Sequence, residues 1–277
     1  MEHRGGIFQG VGGLDLYCQC WGPGGERRAV LAIVHGFGEH SGRYMNIVNH
    51  LTLRSYVVYG FDQRGHGRSP GQRGHINAWE EYRGDIKSFL NLIGEQELNL
   101  PVFLLGHSMG ALVALDYLIR QPAGLRGAII SGAPIEPTGA AKPFLVALAR
   151  LLSRIWPHFS LPLGLDTSAL SRDPAVVKAY EADPLVHGMT TVRWGTETLA
   201  TIEWVKAHVA EVKIPILLIH GGADRLNSPN GSRSFFEKVA FSDRELKVYP
   251  GNFHEPHNDL DHQQVVNDIE QWLERHL

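Results

Sequence analysis

The stretch Pro101 to Leu115, PVFLLGHSMGALVAL, constrains the fold of this 277-residue chain more than any other. An apolar run, Val102 to Leu105, leads into Gly106-His107-Ser108-Met109-Gly110, and an apolar helical pattern follows at once. Strand, abrupt turn, helix is the context that gives a G-x-S-x-G string its meaning as a nucleophile elbow. A serine held on such a turn has a strained backbone, and side chains two residues either side of it would collide. Gly106 and Gly110 fill those two positions, and Ala111 keeps the next one small. The turn lifts the Ser108 hydroxyl clear of the sheet edge and aims the N–H of Met109 at an adjacent oxyanion. The plainer reading is a strand–helix junction with an incidental serine. The strand and helix that flank the pentapeptide weigh against it.

The chain before this stretch supplies a sheet for it. Ile7 to Trp21 alternates loosely around Gly12-Gly13, which predicts a β-hairpin with strands near 6–11 and 14–21. Ala29 to Val34 and Tyr56 to Phe61 are unbroken apolar runs, the mark of strands covered by helices on both faces. Between and after them, Tyr44, Ile47, Val48 and Leu51 recur at helical spacing, as do Tyr82, Ile86, Phe89, Leu90 and Ile93. Gly127 to Ser131 reads as a further strand. Strand and helix in alternation predict a mostly parallel sheet with helices on both faces and an N-terminal antiparallel hairpin. In such sheets ligands bind at the carboxyl ends of the strands. The turns at His35-Gly36, Asp62, Ser108 and Ser131 all fall there.

The alternation then breaks. From Pro134 to about Lys213 there is no strand signal, a gap far longer than the roughly 12–15 residues usual for a loop. Phe144, Leu148, Leu151, Leu152 and Ile155 form one helical stripe, with Arg150, Ser153 and Arg154 off it. Asp173-Pro174 reads as a helix cap, and Arg193 to Ala210 as another helix. Alternation resumes with a strand at Ile214–Ile219, a helix at Pro229–Val239, a strand at Glu245–Tyr249 and a helix at Gln263–Leu277. The expected organisation is a core of residues 1–133 and 214–277 with an inserted helical cap at 134–213.

Charge and cysteine content exclude several classes of function. Twenty-six basic and 29 acidic residues give a net charge of −3, so nothing favours a nucleic-acid partner. Fifteen histidines is a high count, yet none falls in a spacing that makes a metal site. Cys18 and Cys20, the two cysteines, lie on one strand and point to the same face, where they cannot easily bridge. The N-terminus has no apolar signal core, and no segment has the ~18 uninterrupted apolar residues of a membrane span. A cytoplasmic protein is expected.

A serine hydroxyl is a poor nucleophile at neutral pH and needs a base, usually histidine, oriented in turn by a carboxylate. Asp224 follows one late strand in Gly221-Gly222-Ala223-Asp224, and His254 follows the next in Pro250-Gly251-Asn252-Phe253-His254. The order Ser108, Asp224, His254 is that of the α/β-hydrolase architecture. Asp62 precedes the nucleophile and shares a polar turn with Arg64, which suggests a structural role. Asp243 begins a strand and faces the wrong edge. His257 would need a longer loop to reach back. His35, His66, His107 and His220 read as imidazoles that tie turns to carbonyls. The oxyanion needs two preorganised donors, each worth roughly 3–4 kcal/mol in the transition state. Met109 N–H is one. The other comes from His35-Gly36-Phe37-Gly38, with Phe37 preferred and Gly36 or Gly38 as alternatives.

Taken together, His35 to Tyr44 (HGFGEHSGRY), Asp62 to Ser69 (DQRGHGRS), Gly106 to Gly110 and the loops at Asp224 and His254 resemble the monoacylglycerol lipase and lysophospholipase branch of the α/β-hydrolases. The resemblance implies a Ser108–His254–Asp224 triad, with Phe37 and Met109 as oxyanion donors. It also implies an apolar acyl channel under a mobile cap, with Glu39 and Arg43 near the glycerol-binding end. The substrate is then a small lipid ester, and no metal or organic cofactor is expected. The chain departs from the family at Ala111, where a glycine is common, and matches only loosely in the cap. The cap stripe is expected to pack on the core and line the channel. Contact with a membrane or lipid aggregate, Arg150 and Arg154 toward the headgroups, is the other reading.

Overall fold

In β3 (Ala29–Val34) every residue is buried, and the side chains divide between two layers. Val30, Ala32 and Val34 enter one apolar cluster, while Leu31 and Ile33 enter the other. That division is the period-2 alternation of a strand covered on both faces. The computed structural model describes residues 1–122, 124–139 and 143–277. It contains an eight-stranded sheet in the order β1-β2-β4-β3-β5-β6-β9-β10. The strands are β1 (Glu2–Gln9), β2 (Asp15–Gly22), β3, β4 (Tyr56–Phe61), β5 (Val102–His107), β6 (Gly127–Ser131), β9 (Ile216–Gly221) and β10 (Arg244–Tyr249). β1 pairs antiparallel with β2, and β2 with β4; from β4 to β10 every pairing is parallel. This is an α/β-hydrolase sheet with its antiparallel hairpin at one edge.

Helices cover both faces because their apolar stripes match the two layers. On one side lie α1 (Met45–Thr52), through Ile47, Val48 and Leu51, and α8 (His262–Arg275), through Val265, Val266, Ile269 and Trp272. On the other lie α2 (Glu80–Gln96), α3 (Met109–Arg120) and α7 (Pro229–Lys238). Each fully buried aliphatic or aromatic side chain in these layers contributes roughly 2 kcal/mol. α3 is buried from Met109 to Ile119 and apolar there except at Asp116, whose carboxylate is paired with Arg83 and Arg120.

Between β6 and β9 the chain forms α4 (Pro143–Ile155), β7 (Ser160–Pro162), α5 (Pro174–Ala182), β8 (Met189–Thr191) and α6 (Val192–His208). Residues 140–142 of the expected cap lie outside the described residues. β7 and β8 pair antiparallel as a separate two-stranded sheet, which the sequence reading did not anticipate. Three residues are too few for a period-2 pattern to emerge. Asp173 caps α5 by accepting from Ala175 N, with Pro174 in the first turn. α6 places Trp194, Ile202 and Val205 in the same apolar layer as α3, so this end of the inserted stretch belongs to the core packing.

α4 differs from expectation. Phe144, Leu148, Leu151 and Ile155 are 65%, 49%, 55% and 72% exposed, so the stripe faces outward. The side turned inward carries half-buried Val146, Ala149 and Leu152 together with one polar residue, Ser153. Ser153 is buried, its hydroxyl accepting from Thr196 Oγ1 at 3.0 Å and its carbonyl from Arg193 Nη2 at 2.8 Å. No helix among the described residues is long and apolar enough to cross a membrane.

Candidate active site

β5 ends at His107, and the next residue turns the chain through a conformation that costs about 1–3 kcal/mol. Ser108 has φ 52° and ψ −117°, one of three non-glycine residues with positive φ among those described. A Cβ on Gly106 would meet the carbonyl oxygen of Gly110, and one on Gly110 that of Val34. Both glycines are therefore required by close backbone approach. α3 starts directly after the serine. Ala111 N–H and Leu112 N–H donate to Ser108 O at 3.0 and 3.2 Å, which leaves Met109 N–H among the first-turn donors without a helical partner. The positive end of the helix dipole adds to its pull on an anion.

His254 and Asp224 arrive from the ends of β10 and β9. His254 Nδ1 donates to Asp224 Oδ2 at 2.7 Å. The other oxygen, Oδ1, accepts from Leu226 N at 2.8 Å and Asn227 N at 3.1 Å, and His220 Nε2 lies 3.1 Å from Oδ2. Burial penalises the Asp224 carboxylate, but His254, His220 and these amides outweigh it and hold its pKa below the carboxylate range. For His254 burial likewise disfavours the charged ring. Asp224 overcomes it, with smaller help from Glu255 and Glu39, and the imidazole pKa is raised above its ordinary 6.5. With Nδ1 committed to the carboxylate, Nε2 is the nitrogen left to exchange a proton.

Ser108, His254, Phe37, Glu39 and Arg43 line one cavity of about 40 Å³, closed over by Leu165, Leu170 and Tyr180 from the inserted stretch. The loop after β3 comes close to the serine: a Cβ on Gly36 would lie 3.3 Å from Ser108 Cβ. Gly36 N–H donates to Glu39 Oε1 at 2.6 Å, so it is not free for an oxyanion. Phe37 and Gly38 remain as second donors.

Glu39 and Arg43 belong to a buried network whose third member escaped the sequence reading. Arg43 Nη1 donates to Glu39 Oε2 at 2.6 Å and to Glu255 Oε1 at 2.7 Å, and Nη2 donates to Glu255 Oε2 at 2.8 Å. Tyr44 OH donates to Glu39 Oε1 at 2.7 Å, and the guanidinium lies 4.6 Å over the Tyr180 ring. Burial raises the Glu255 pKa, but Arg43 more than reverses this and holds it at about 2. Two carboxylates and one guanidinium leave a net negative charge beside His254. Glu255 sits next to the histidine in sequence, but only the fold brings Arg43 to it.

The other acids and bases singled out from the sequence sit in structural contacts. Asp62 accepts from Ser41 N at 2.9 Å, Ser41 Oγ at 2.6 Å and Arg68 N at 2.8 Å, while Arg64 pairs with Asp85. Asp62 thus has the structural role expected of it, holding a turn by accepting from Ser41 and Arg68, while Arg64 turns to Asp85. Asp243 pairs with His276. His35 Nδ1 donates to Gly36 O and His66 Nδ1 to Arg64 O. His107 Nδ1 is 3.2 Å from Ser131 Oγ, and His220 Nδ1 is 2.7 Å from Ser232 Oγ. His257 stacks on Tyr44, rings 4.9 Å apart, and burial lowers its pKa to about 4.

Residues 25–261 match the family model described as serine aminopeptidase, S33. The chain is 35% identical over 271 residues to a monoacylglycerol lipase of Mycolicibacterium smegmatis, covering 98% of this chain and 96% of that one. It is 32% identical over 265 residues to the monoglyceride lipase of Homo sapiens, covering 94% and 87%. The monoacylglycerol lipase structure from Paleococcus ferrophilus superposes with a TM-score of 0.87 at 36% identity, over 95% of this chain and 99% of that chain. A strained serine at the carboxyl edge of an α/β-hydrolase sheet, matched over nearly the whole chain, places this protein in the serine aminopeptidase S33 family, within its monoacylglycerol lipase branch of serine ester hydrolases.

Proposed function

We propose that this enzyme hydrolyses monoacylglycerols to fatty acid and glycerol, with Ser108 as nucleophile, His254 as base and Asp224 as its orienting carboxylate. The observation that carries the reading is the 2.7 Å His254–Asp224 contact in a cavity shared with a positive-φ serine. Ser108 Oγ attacks the ester carbonyl as His254 Nε2 takes its proton, and Asp224 stabilises the resulting imidazolium. The tetrahedral oxyanion accepts from Met109 N–H and Phe37 N–H. The imidazolium then protonates the departing glycerol oxygen. Water, activated by the same imidazole, hydrolyses the acyl-enzyme and regenerates Ser108. Glu39 and Arg43 stand at the alcohol end of the site.

Residues 134–213 act on this reading as a cap over the core of 1–133 and 214–277. A cavity of about 40 Å³ holds a few waters and no acyl chain, so the cap must open to admit substrate. The outward apolar face of α4, with exposed Arg150 and Arg154 beside it, fits peripheral docking on an anionic lipid surface. Both cysteines are free, as a reducing, cytoplasmic location allows.

Ser108→Ala tests the assignment. It should bind substrate, fold as the parent does, and lose hydrolysis of monoacylglycerol and of a short p-nitrophenyl ester together, along with fluorophosphonate labelling. Turnover persisting above about one part in a thousand would remove Ser108 from its role. Parallel assays with lysophosphatidylcholine test the substrate class, for which lower kcat/KM than with monoacylglycerol is expected.

A further inference from the structure

The loop that carries His254 is fastened to the inserted stretch by its own backbone. His254 N–H donates to Ala169 O at 3.2 Å, and Glu255 N–H donates to Leu170 O at 2.9 Å. The preceding amide, Phe253 N–H, donates to Asp259 Oδ2 at 2.7 Å. Three consecutive amides centred on the histidine are thus engaged, two of them by carbonyls from the stretch expected to open.

Arg172 closes the arrangement. Its backbone N–H and its Nε both donate to Asp259 Oδ1, at 3.1 and 3.0 Å. Its Nη2 donates to Asn252 Oδ1 at 2.9 Å and to Asp261 Oδ2 at 2.6 Å. Asn252 lies two residues before His254 and Asp259 five after, so one guanidinium spans both flanks of the loop. The Asp259 side chain is 0% exposed and that of Arg172 27%, a geometry in which a forked, charge-assisted contact is far stronger than at a free surface. Ser171 Oγ adds a bond to Asn258 O at 3.0 Å. Alanine at 172 would keep only the backbone bond to Asp259, and lysine lacks the planar fork that addresses separate acceptors in a fixed geometry.

We infer that residues 169–172 are not part of a moving cap but the mount of the catalytic histidine, with Arg172 as a positioning residue that holds the His254 loop at both ends. The inference rests on the reading of His254 as the general base. It predicts that opening hinges on either side of this segment and leaves 169–172 in place. Asp224 sets which way the ring faces; Arg172 sets where its backbone stands. A displacement of about 1 Å at a reacting group costs up to 10²-fold in rate.

The test uses Arg172→Ala and Arg172→Lys in the full chain, with Lys178→Ala, an exposed site on α5, as control. Each is assayed on p-nitrophenyl butyrate and on a monoacylglycerol across pH, with a thermal melt beside every preparation. Arg172→Ala should lower kcat on both substrates about tenfold or more, with KM changed less than threefold. The acid limb of its pH profile should move to lower pH as His254 loosens from Asp224. Arg172→Lys, which keeps the Asp259 pair but not the fork, should fall between, and it carries the test if the alanine variant does not fold. Parental kcat on the soluble ester in a folded Arg172 variant overturns the inference, as does an effect confined to KM for the lipid. A His254→Ala enzyme that still turns over points instead to failure of the underlying assignment.

Discussion

His254 is the residue on which the electrostatics of the site converge. Burial alone would keep the ring neutral far below pH 6.5, and the negative charge of Asp224 reverses that. The sign gives a prediction. A base must be unprotonated, so activity rises with pH through the raised pKa of His254, and the acid limb of kcat/KM lies above pH 6.5. Asp224→Asn removes the charge and lets burial prevail, so the pKa falls and the acid limb of the residual activity moves to lower pH. The amide also favours the wrong tautomer, and kcat should drop about 10⁴-fold. A pH–rate profile of the two enzymes checks both statements, and an unmoved or raised acid limb would exclude Asp224 as the partner. These residues were legible in the sequence because each follows a strand and strand ends share one edge. Glu255 was not, because its meaning depends on Arg43, 212 positions away.

At the scale of elements, what could be read was what periodicity encodes. The unbroken apolar runs of β3 and β4 declared a sheet covered on both faces, and the structure divides their side chains between two layers. β1 begins at Glu2 rather than near residue 6, because an edge strand with Gly5-Gly6 and mostly exposed side chains carries no apolar alternation. α4 shows the other limit. Its stripe was visible, but periodicity says which residues share a face and not what the face meets. Four of its five residues meet solvent, since the helix turns Val146, Ala149 and Ser153 inward, with Leu152 half-buried at the edge. Leu148→Asp with Leu151→Asp should therefore leave the melt within about 1 °C and kcat on a soluble ester unchanged, because both side chains are exposed. Hydrolysis of long-chain monoacylglycerol presented in anionic vesicles should fall several-fold. Equal losses on both substrates would mean that the stripe is structural after all.

Over the whole molecule, the histidine count that suggested no metal site has a different consequence. His35, His66 and His107 are fully buried, each with its pKa lowered by burial foremost, and burial also brings His187 and His257 to about 4. In the unfolded chain all five return to about 6.5. Between pH 6.5 and pH 4 the unfolded state therefore binds more protons, and stability must fall as pH falls across that window. His254, whose pKa is raised, works in the opposite sense but is outnumbered. Glu255 does not share the window: it contributes stability above the usual carboxylate pKa and loses it only as pH falls toward about 2. For the fully buried His257 alone the loss between pH 7 and pH 4 is on the order of 3 kcal/mol, a large fraction of a typical domain's 5–15 kcal/mol. Urea unfolding at pH 7.5, 6.0 and 5.0 should show the midpoint dropping at each step, with the first decline already below pH 6.5. His257→Asn, which cannot be protonated, should lose less stability across the same range than the parent. A midpoint that holds level to pH 4.5 and then collapses would assign acid unfolding to the carboxylates, and would mean that the buried imidazoles gain protons without the fold opening.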